Sequence, residues 1–180
     1  MKVDLNVPVL TTDRLTLRGP IESDAEAVIA FFADAERSEG FGGPLERQDA
    51  WRWWGLMIGH WVIRGYGYWT VTETGGDDTP LGIVGIWNPD GWPEPEIGWV
   101  MFEGSEGKGI AFEAALAVRG HAYSALGFTT LTSNIVPGND RSAALAERMG
   151  AFHESTYENP HMGLDRLFRH PGPNDLQEAR

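Results

Sequence analysis

The sequence predicts an α+β fold, and three observations carry the prediction. Its 180 residues suffice for one domain and are short for two, and no linker-like stretch divides them. Hydrophobic residues make up 42% and charged residues 22%, a balance that buries a core and excludes wholesale disorder. Strand-like and helix-like segments follow one another as β-α-α-β-β-β-α-β-α-β-β. The expected domain spans 1–180, with its core at about 10–169 and a frayed tail at 170–180.

The elements are read in chain order. Thr12–Arg18 alternates apolar and polar side chains, as an opening strand with one buried face does. Ser23 and Glu26 have capping-box spacing before the apolar run Ala27–Ala33, so a helix is expected from about Asp24 to Asp34. Trp51, Trp54, Ile58, Trp61 and Val62 trace one face of a second helix. Tyr66–Thr72 and Leu81–Trp87 are rich in β-branched and aromatic residues around a polar loop, which predicts a hairpin. Glu96–Phe102 is the next strand; it stops at Gly104, and a helix follows Gly109 and ends at Gly127. Phe128–Ile135 is strand-like, and Asn139 can cap a short helix closed by Gly150. Phe152–Tyr157 and Met162–Phe168 are the last expected strands.

Composition narrows the function classes. Lys and Arg number 14 against 26 Asp and Glu, a formal charge of -12, which argues against nucleic acid as a partner because phosphate neutralisation needs clustered cations. There is no cysteine, so disulfides, zinc–thiolate sites and Cys nucleophiles are out. The five His have no metal-ligand spacing, and no metal is expected. The longest apolar run has seven residues, far from the roughly 20 of a membrane span, so no membrane partner is expected. Met1–Pro8 lacks an apolar core of the secretory kind, and a cytoplasmic location is expected.

The strongest local feature is the strand-to-helix join at Phe102–Phe112. Unpaired amides at a helix start attract anions, and Gly107 and Gly109 remove side chains that would block the approach. By itself such a turn is compatible with phosphate binding or with turn chemistry alone. It has neither the Walker spacing nor that of a dinucleotide fingerprint.

Glu106-Gly107-Lys108-Gly109-Ile110-Ala111 resembles the acyl-CoA pyrophosphate loop of the GNAT acetyltransferases, Gln/Arg-x-x-Gly-x-Gly/Ala. Glu96–Trp99 resembles that family's fourth strand, Asn139–Ser142 its Asn-x-x-Ser element, and Glu147–Phe152 its closing signature, with Ala151 inserted before the Phe. Leu10–Arg18 looks like the opening of the RimJ/RimL-like, ribosomal-protein N-acetyltransferase branch. The resemblance implies a twisted mixed sheet of about seven strands with about four flanking helices, splayed between Glu96–Phe102 and Phe128–Ile135. It implies acetyl-CoA as co-substrate, held by Met101, Phe102, Gly107, Lys108, Gly109, Ile110, Ala111, Asn139 and Ser142. The expected reaction is direct acetyl transfer to a primary amine of a small molecule or a protein N-terminus, with a homodimer left open. A non-catalytic acyl-CoA-binding module and an aminoglycoside-like small-molecule enzyme are the alternatives. Glu106 departs from the family's Gln or Arg, and is expected to point to solvent or toward Lys108.

Glu96 is read either as a strand-edge carboxylate in an ion pair or, as the resemblance to the family's histone-acetyltransferase branch implies, as the general base; an amine of pKa about 8 to 10 must lose a proton before attack. Ser142 either satisfies a helix amide or faces the departing sulfur; Asn139 either caps the helix or contacts pantetheine. The Trp51, Trp54, Trp61 stripe suits core packing, with an aromatic wall for the acceptor as the other reading. His153 and His161 are read as surface or packing residues.

Overall fold

Thr12 divides the opening segment that alternation alone runs through as one strand. Its hydroxyl accepts from the Leu15 amide (2.9 Å), and the chain turns at Asp13–Arg14 between β1 (Leu10–Thr11) and β2 (Leu15–Arg18). The computed structural model describes residues 5–159 and 162–178, so the reading of His161 lies outside the described residues. Along the chain follow α1 (Ala25–Ala33), α2 (Ala35–Ser38), α3 (Arg47–Arg64), β3 (Tyr68–Glu73), β4 (Gly82–Trp87), β5 (Glu96–Met101) and α4 (Ile110–Ser124). Then come β6 (Thr132–Ile135), α5 (Asp140–Arg148), β7 (Phe152–Asn159), β8 (Gly163–Arg169) and α6 (Pro173–Glu178). The strands form one sheet in the order β1-β2-β3-β4-β5-β6-β8-β7, antiparallel except for β5 against β6. The α+β class and the mixed sheet hold, with eight strands and six helices among the described residues where about seven and about four are expected.

Alternation along the central strands sorts side chains to two layers. Leu15, Leu17, Trp69, Val71, Val84, Ile86 and Ile97 pack toward Ala114, Ala115, Val118 and Ala122 of α4. Tyr68, Ile83, Trp87 and Val100 point the other way, onto Val28 and Phe32 of α1 and Trp54 and Met57 of α3. The buried face of α3 is Ala50, Trp54, Met57, His60 and Trp61, so the expected tryptophan stripe is shifted: Trp51 lies about 100° around the helix from Ala50 and is 55% exposed. No helix among the described residues is long and apolar enough to cross a membrane.

The capping box at Ser23 does not form. Asp24 takes its place, accepting from the Ile21 amide (3.0 Å), from Thr70 Oγ1 (2.8 Å) and from both terminal nitrogens of Arg18 (2.8 and 2.9 Å), while only 1% exposed. Burial pushes its pKa up, but Arg18, the Ile21 amide and Thr70 outweigh burial and hold it below the usual carboxylate value. Asp24→Ala is expected to cost about 3 kcal/mol in urea unfolding at pH 7, because it leaves Thr70, the Ile21 amide and two guanidinium nitrogens without their acceptor and Arg18 with Asp78 as its remaining carboxylate. The sign with pH follows from the lowered pKa: Asp24's contribution is present above the unfolded-state value and lost as pH falls through the folded one. A loss below about 1 kcal/mol would remove Asp24 from the account of how α1 docks on the sheet.

Two further expectations are corrected. Phe128–Leu131 precede β6 without joining it, since only Thr132 meets a residue of β5. The tail is ordered at its start. His170 is buried, Pro171 O accepts from the Tyr123 hydroxyl (2.9 Å), and Asp175 caps α6 through the Gly172 amide (2.9 Å).

Candidate functional site

The site is built where β5 and β6 part. Thr132 N donates to Pro95 O (3.1 Å), and Glu96 pairs with Thr132 in parallel register. The next rung would join Asn134 N to Ile97 O. Both groups are diverted: Asn134 N donates to Glu96 Oε2 (3.0 Å), and Ile97 O accepts from Ser133 Oγ (2.7 Å). Since the Ser133 proton is spent on Ile97, His170 Nε2, 2.9 Å away, is the donor to Ser133. That needs only a neutral imidazole, and burial, reinforced by Arg119, pushes the His170 pKa down to about 3. The splay is therefore made by side chains that cap the ladder.

Past this point one edge of β5 has no strand partner among the described residues. Phe102 N donates to Leu81 O (2.9 Å), which sets the alternation so that the main-chain groups of Trp99 and Met101 face away from β4 and into the gap. The expectation that Phe102 also offers open groups is not met: its carbonyl takes the Ser105 amide (3.0 Å) as well. Met101 keeps its place, and Trp99 joins it.

The gap leads to the loop before α4. Gly104, Gly107 and Gly109 have φ of 80°, 73° and 76°, a region that favours glycine. Gly109 begins α4 with no side-chain cap, and the amides of Gly107, Gly109, Ile110 and Ala111 have no acceptor among the described residues, while Glu106–Gly107 form a turn that engages Lys108 N. A Cβ at Gly107 would meet nothing within 4 Å, and one at Gly109 only the Arg14 guanidinium at 3.6 Å. From behind, Arg14 Nη1 donates to Lys108 O (3.2 Å), and Glu113 holds Arg14 through Nε (2.7 Å). The residues fit an extended chain ending in a pyrophosphate: an open strand edge, then outward amides at a helix start.

Glu96 lies at the head of the gap, 8% exposed. Its Oε2 also accepts from Asn134 Nδ2 (2.6 Å). Burial raises its pKa to about 7; Asn134 and Trp92 pull it down, and the negative charge of Asp165 pushes it up. The ion-pair reading of Glu96 is not met, since the groups bonded to it are neutral. Asn139 does cap α5, its Oδ1 accepting from Ser142 N (3.2 Å). Ser142 Oγ accepts from Trp99 Nε1 (3.3 Å), which puts it against β5.

Several residues here escaped sequence reasoning. Asp165 is 2% exposed and bonded to Asn159 Nδ2 (2.8 Å), with a raised pKa, chiefly from burial. Tyr157, its cross-strand partner, is pushed up to about 12 by burial and then by Asp165 and Glu96, so its hydroxyl stays protonated. The available signal was a carboxylate at an inward position of β8, in step with Leu167. Tyr68 lies beneath β5, where a Cβ on Gly98 would overlap its hydroxyl. Phe41, Trp53, Tyr68 and Trp87 form an aromatic cluster with ring centroids 5.4 to 6.1 Å apart, Tyr68 and Trp87 being its buried members. Trp54 pairs with Trp51 and Trp61 with Trp69, apart from this cluster. Glu106, a quarter exposed, pairs with Arg37 of α2 and not with Lys108.

Comparison with known proteins agrees with this geometry. A family model described as an acetyltransferase (GNAT) domain matches residues 14–151. The crystal structure of an acetyltransferase from Agrobacterium tumefaciens is 34% identical, covers 94% of this chain and 98% of its own, and has a TM-score of 0.83. An aminoglycoside acetyltransferase in complex with coenzyme A is 17% identical, with 92% and 99% covered and a TM-score of 0.75. The ribosomal-protein acetyltransferase RimL is 14% identical, with 91% and 94% covered and a TM-score of 0.73. At such identities the last two show the shared fold.

Proposed function

The chain belongs to the GNAT family of acetyl-CoA-dependent acetyltransferases, and on that premise we propose that it moves the acetyl group directly to a primary amine, with Glu96 as general base. One observation carries this reading: a buried carboxyl with a pKa of about 7 stands at the head of an open strand edge that leads to unpaired helix-start amides.

Acetyl-CoA supplies an activated thioester, and the protein supplies position, a proton acceptor and hydrogen bonds. Met101, Trp99 and the amides of Gly107, Gly109, Ile110 and Ala111 are the groups that hold it. Ionised Glu96 takes one proton from the incoming ammonium, directly or through one water. The neutral nitrogen then bonds to the acetyl carbon, and its second proton leaves as the adduct collapses, balancing the proton that ends on the CoA sulfur. The Met101 amide, turned into the gap, is placed to donate to the developing oxyanion. As the C–S bond breaks, Ser142 can donate to the sulfur; its oxygen accepts from Trp99 Nε1, so its own proton remains available. Asn139 acts by fixing the turn that carries Ser142. The acceptor is a small-molecule amine or a protein N-terminus, entering beside Phe41 and Trp53.

A panel of aminoglycosides, small amines and N-terminal peptides, followed by release of free CoA thiol, tests this reading. Turnover with at least one amine class and sequential kinetics are expected. Binding of acetyl-CoA with turnover of none would leave an acyl-CoA-binding module, and an acetylated protein trapped by mass spectrometry would overturn direct transfer.

A further inference from the structure

Glu106 opens the amide loop with a carboxylate, one residue before the first open amide at Gly107. A dianion held by those amides would lie well within a Debye length of that charge, about 8 Å at physiological salt, and the two repel. The fold answers this from elsewhere. Arg37, 69 residues earlier, places Nη1 on Glu106 Oε1, and its Nε stands 3.4 Å from Asp34 Oδ2. The two partners are only 27% and 25% exposed. Arg37 is also held in place: Asp34 Oδ1 accepts from the amides of Glu36 and Arg37 (both 3.1 Å), and Ser38 Oγ donates to Asp34 O (2.7 Å). A short capped turn thus delivers a guanidinium to the edge of the loop.

We propose that Arg37 is a cofactor-affinity residue of this chain, and that Glu106 and the CoA pyrophosphate compete for its guanidinium. Without a ligand, Arg37 neutralises Glu106. With acetyl-CoA bound, the guanidinium is shared with the phosphate oxygens, which accept the same forked geometry as a carboxylate. Lys108 remains the loop's own, more weakly placed cation. The inference rests on the reading that this loop holds the pyrophosphate.

The two partners should then act with opposite signs. Glu106→Gln removes the competitor and is expected to lower the Kd for acetyl-CoA about 3- to 10-fold. Arg37→Ala leaves Glu106 uncompensated and is expected to raise it about 10-fold. Arg37→Lys keeps the charge and should fall between Arg37→Ala and the parent, while the double variant Arg37→Ala/Glu106→Gln should return to within about 3-fold of the parent. Calorimetric titration reads these constants with acetyl-CoA and with S-acetylpantetheine, which lacks the pyrophosphate and should respond to none of the substitutions. If the parent binds both probes equally, the loop reading fails. If it prefers acetyl-CoA but Glu106→Gln and Arg37→Ala move Kd the same way, or S-acetylpantetheine shifts equally, the competition is overturned while the loop reading stands.

Discussion

Replacing Glu96 by glutamine is expected to lower turnover by about 10²- to 10⁴-fold while the Kd for acetyl-CoA stays unchanged. Gln keeps the shape, and its carbonyl can still accept from Asn134 N and Nδ2, so the end of the β5–β6 ladder is preserved. What disappears is a proton acceptor with a pKa of about 7. The parent's kcat/KM should fall as pH drops below about 7, when Glu96 takes up its proton. The variant should lack that limb, and its residual rate should climb with pH until the amine deprotonates unaided.

The same carboxyl predicts a stability signature with its sign worked out. Its pKa is raised from 4.5 to about 7, so the native state holds a proton that the unfolded chain has released. Stability therefore declines as pH rises from about 4.5 to 7, by an amount on the order of 3 kcal/mol. Unfolding curves at pH 5 and pH 8 should show a smaller decline for Glu96→Gln than for the parent. Parent-like turnover of the variant from pH 6 to 9 would take Glu96 out of the mechanism and leave positioning as the source of rate.

The parts of this site legible from sequence are those set by local backbone needs. Gly107 and Gly109 mark the loop because a left-handed backbone there favours glycine, and Asn139 marks the start of α5 because a free helix amide needs an acceptor. Central strands such as Gly82–Trp87 are legible as apolar runs between turns, since both faces are covered. What escaped depends on distant partners. Arg37 meets Glu106 across 69 residues, and nothing in either neighbourhood announces the other. Asp165 reaches Glu96 only because β8 pairs with β6. The closed state of Phe102 follows from Leu81, a residue of the preceding loop whose reach toward β5 is set by register. Trp51 shows the opposite failure: a helical stripe fixes spacing, but which neighbouring stripe faces the core is decided by Ala50, small enough to let α3 approach α1.

Gly109→Val is expected to raise the Kd for acetyl-CoA by at least about 100-fold, the largest binding effect of any single change in the loop. Two costs combine. Valine, branched at Cβ, is strongly disfavoured at φ 76°, so the residue that begins α4 would be driven out of the left-handed region and the amides after it would turn from their present directions. Where the backbone does hold, the Cβ points at the Arg14 guanidinium 3.6 Å away, and its two methyl groups press on the side chain that holds Lys108 O and with it the loop. Gly109→Ala separates these contributions, since it keeps most of the backbone strain with only one added carbon, and its effect should be intermediate. Lys108→Ala, which leaves every main-chain amide where it is, should change Kd by less than about 5-fold, because a solvated lysine contributes on the order of 1 kcal/mol or less. Circular dichroism and thermal unfolding check that α4 remains formed. If Lys108→Ala weakens binding more than Gly109→Val does, side-chain charge and not the amide cradle holds the pyrophosphate.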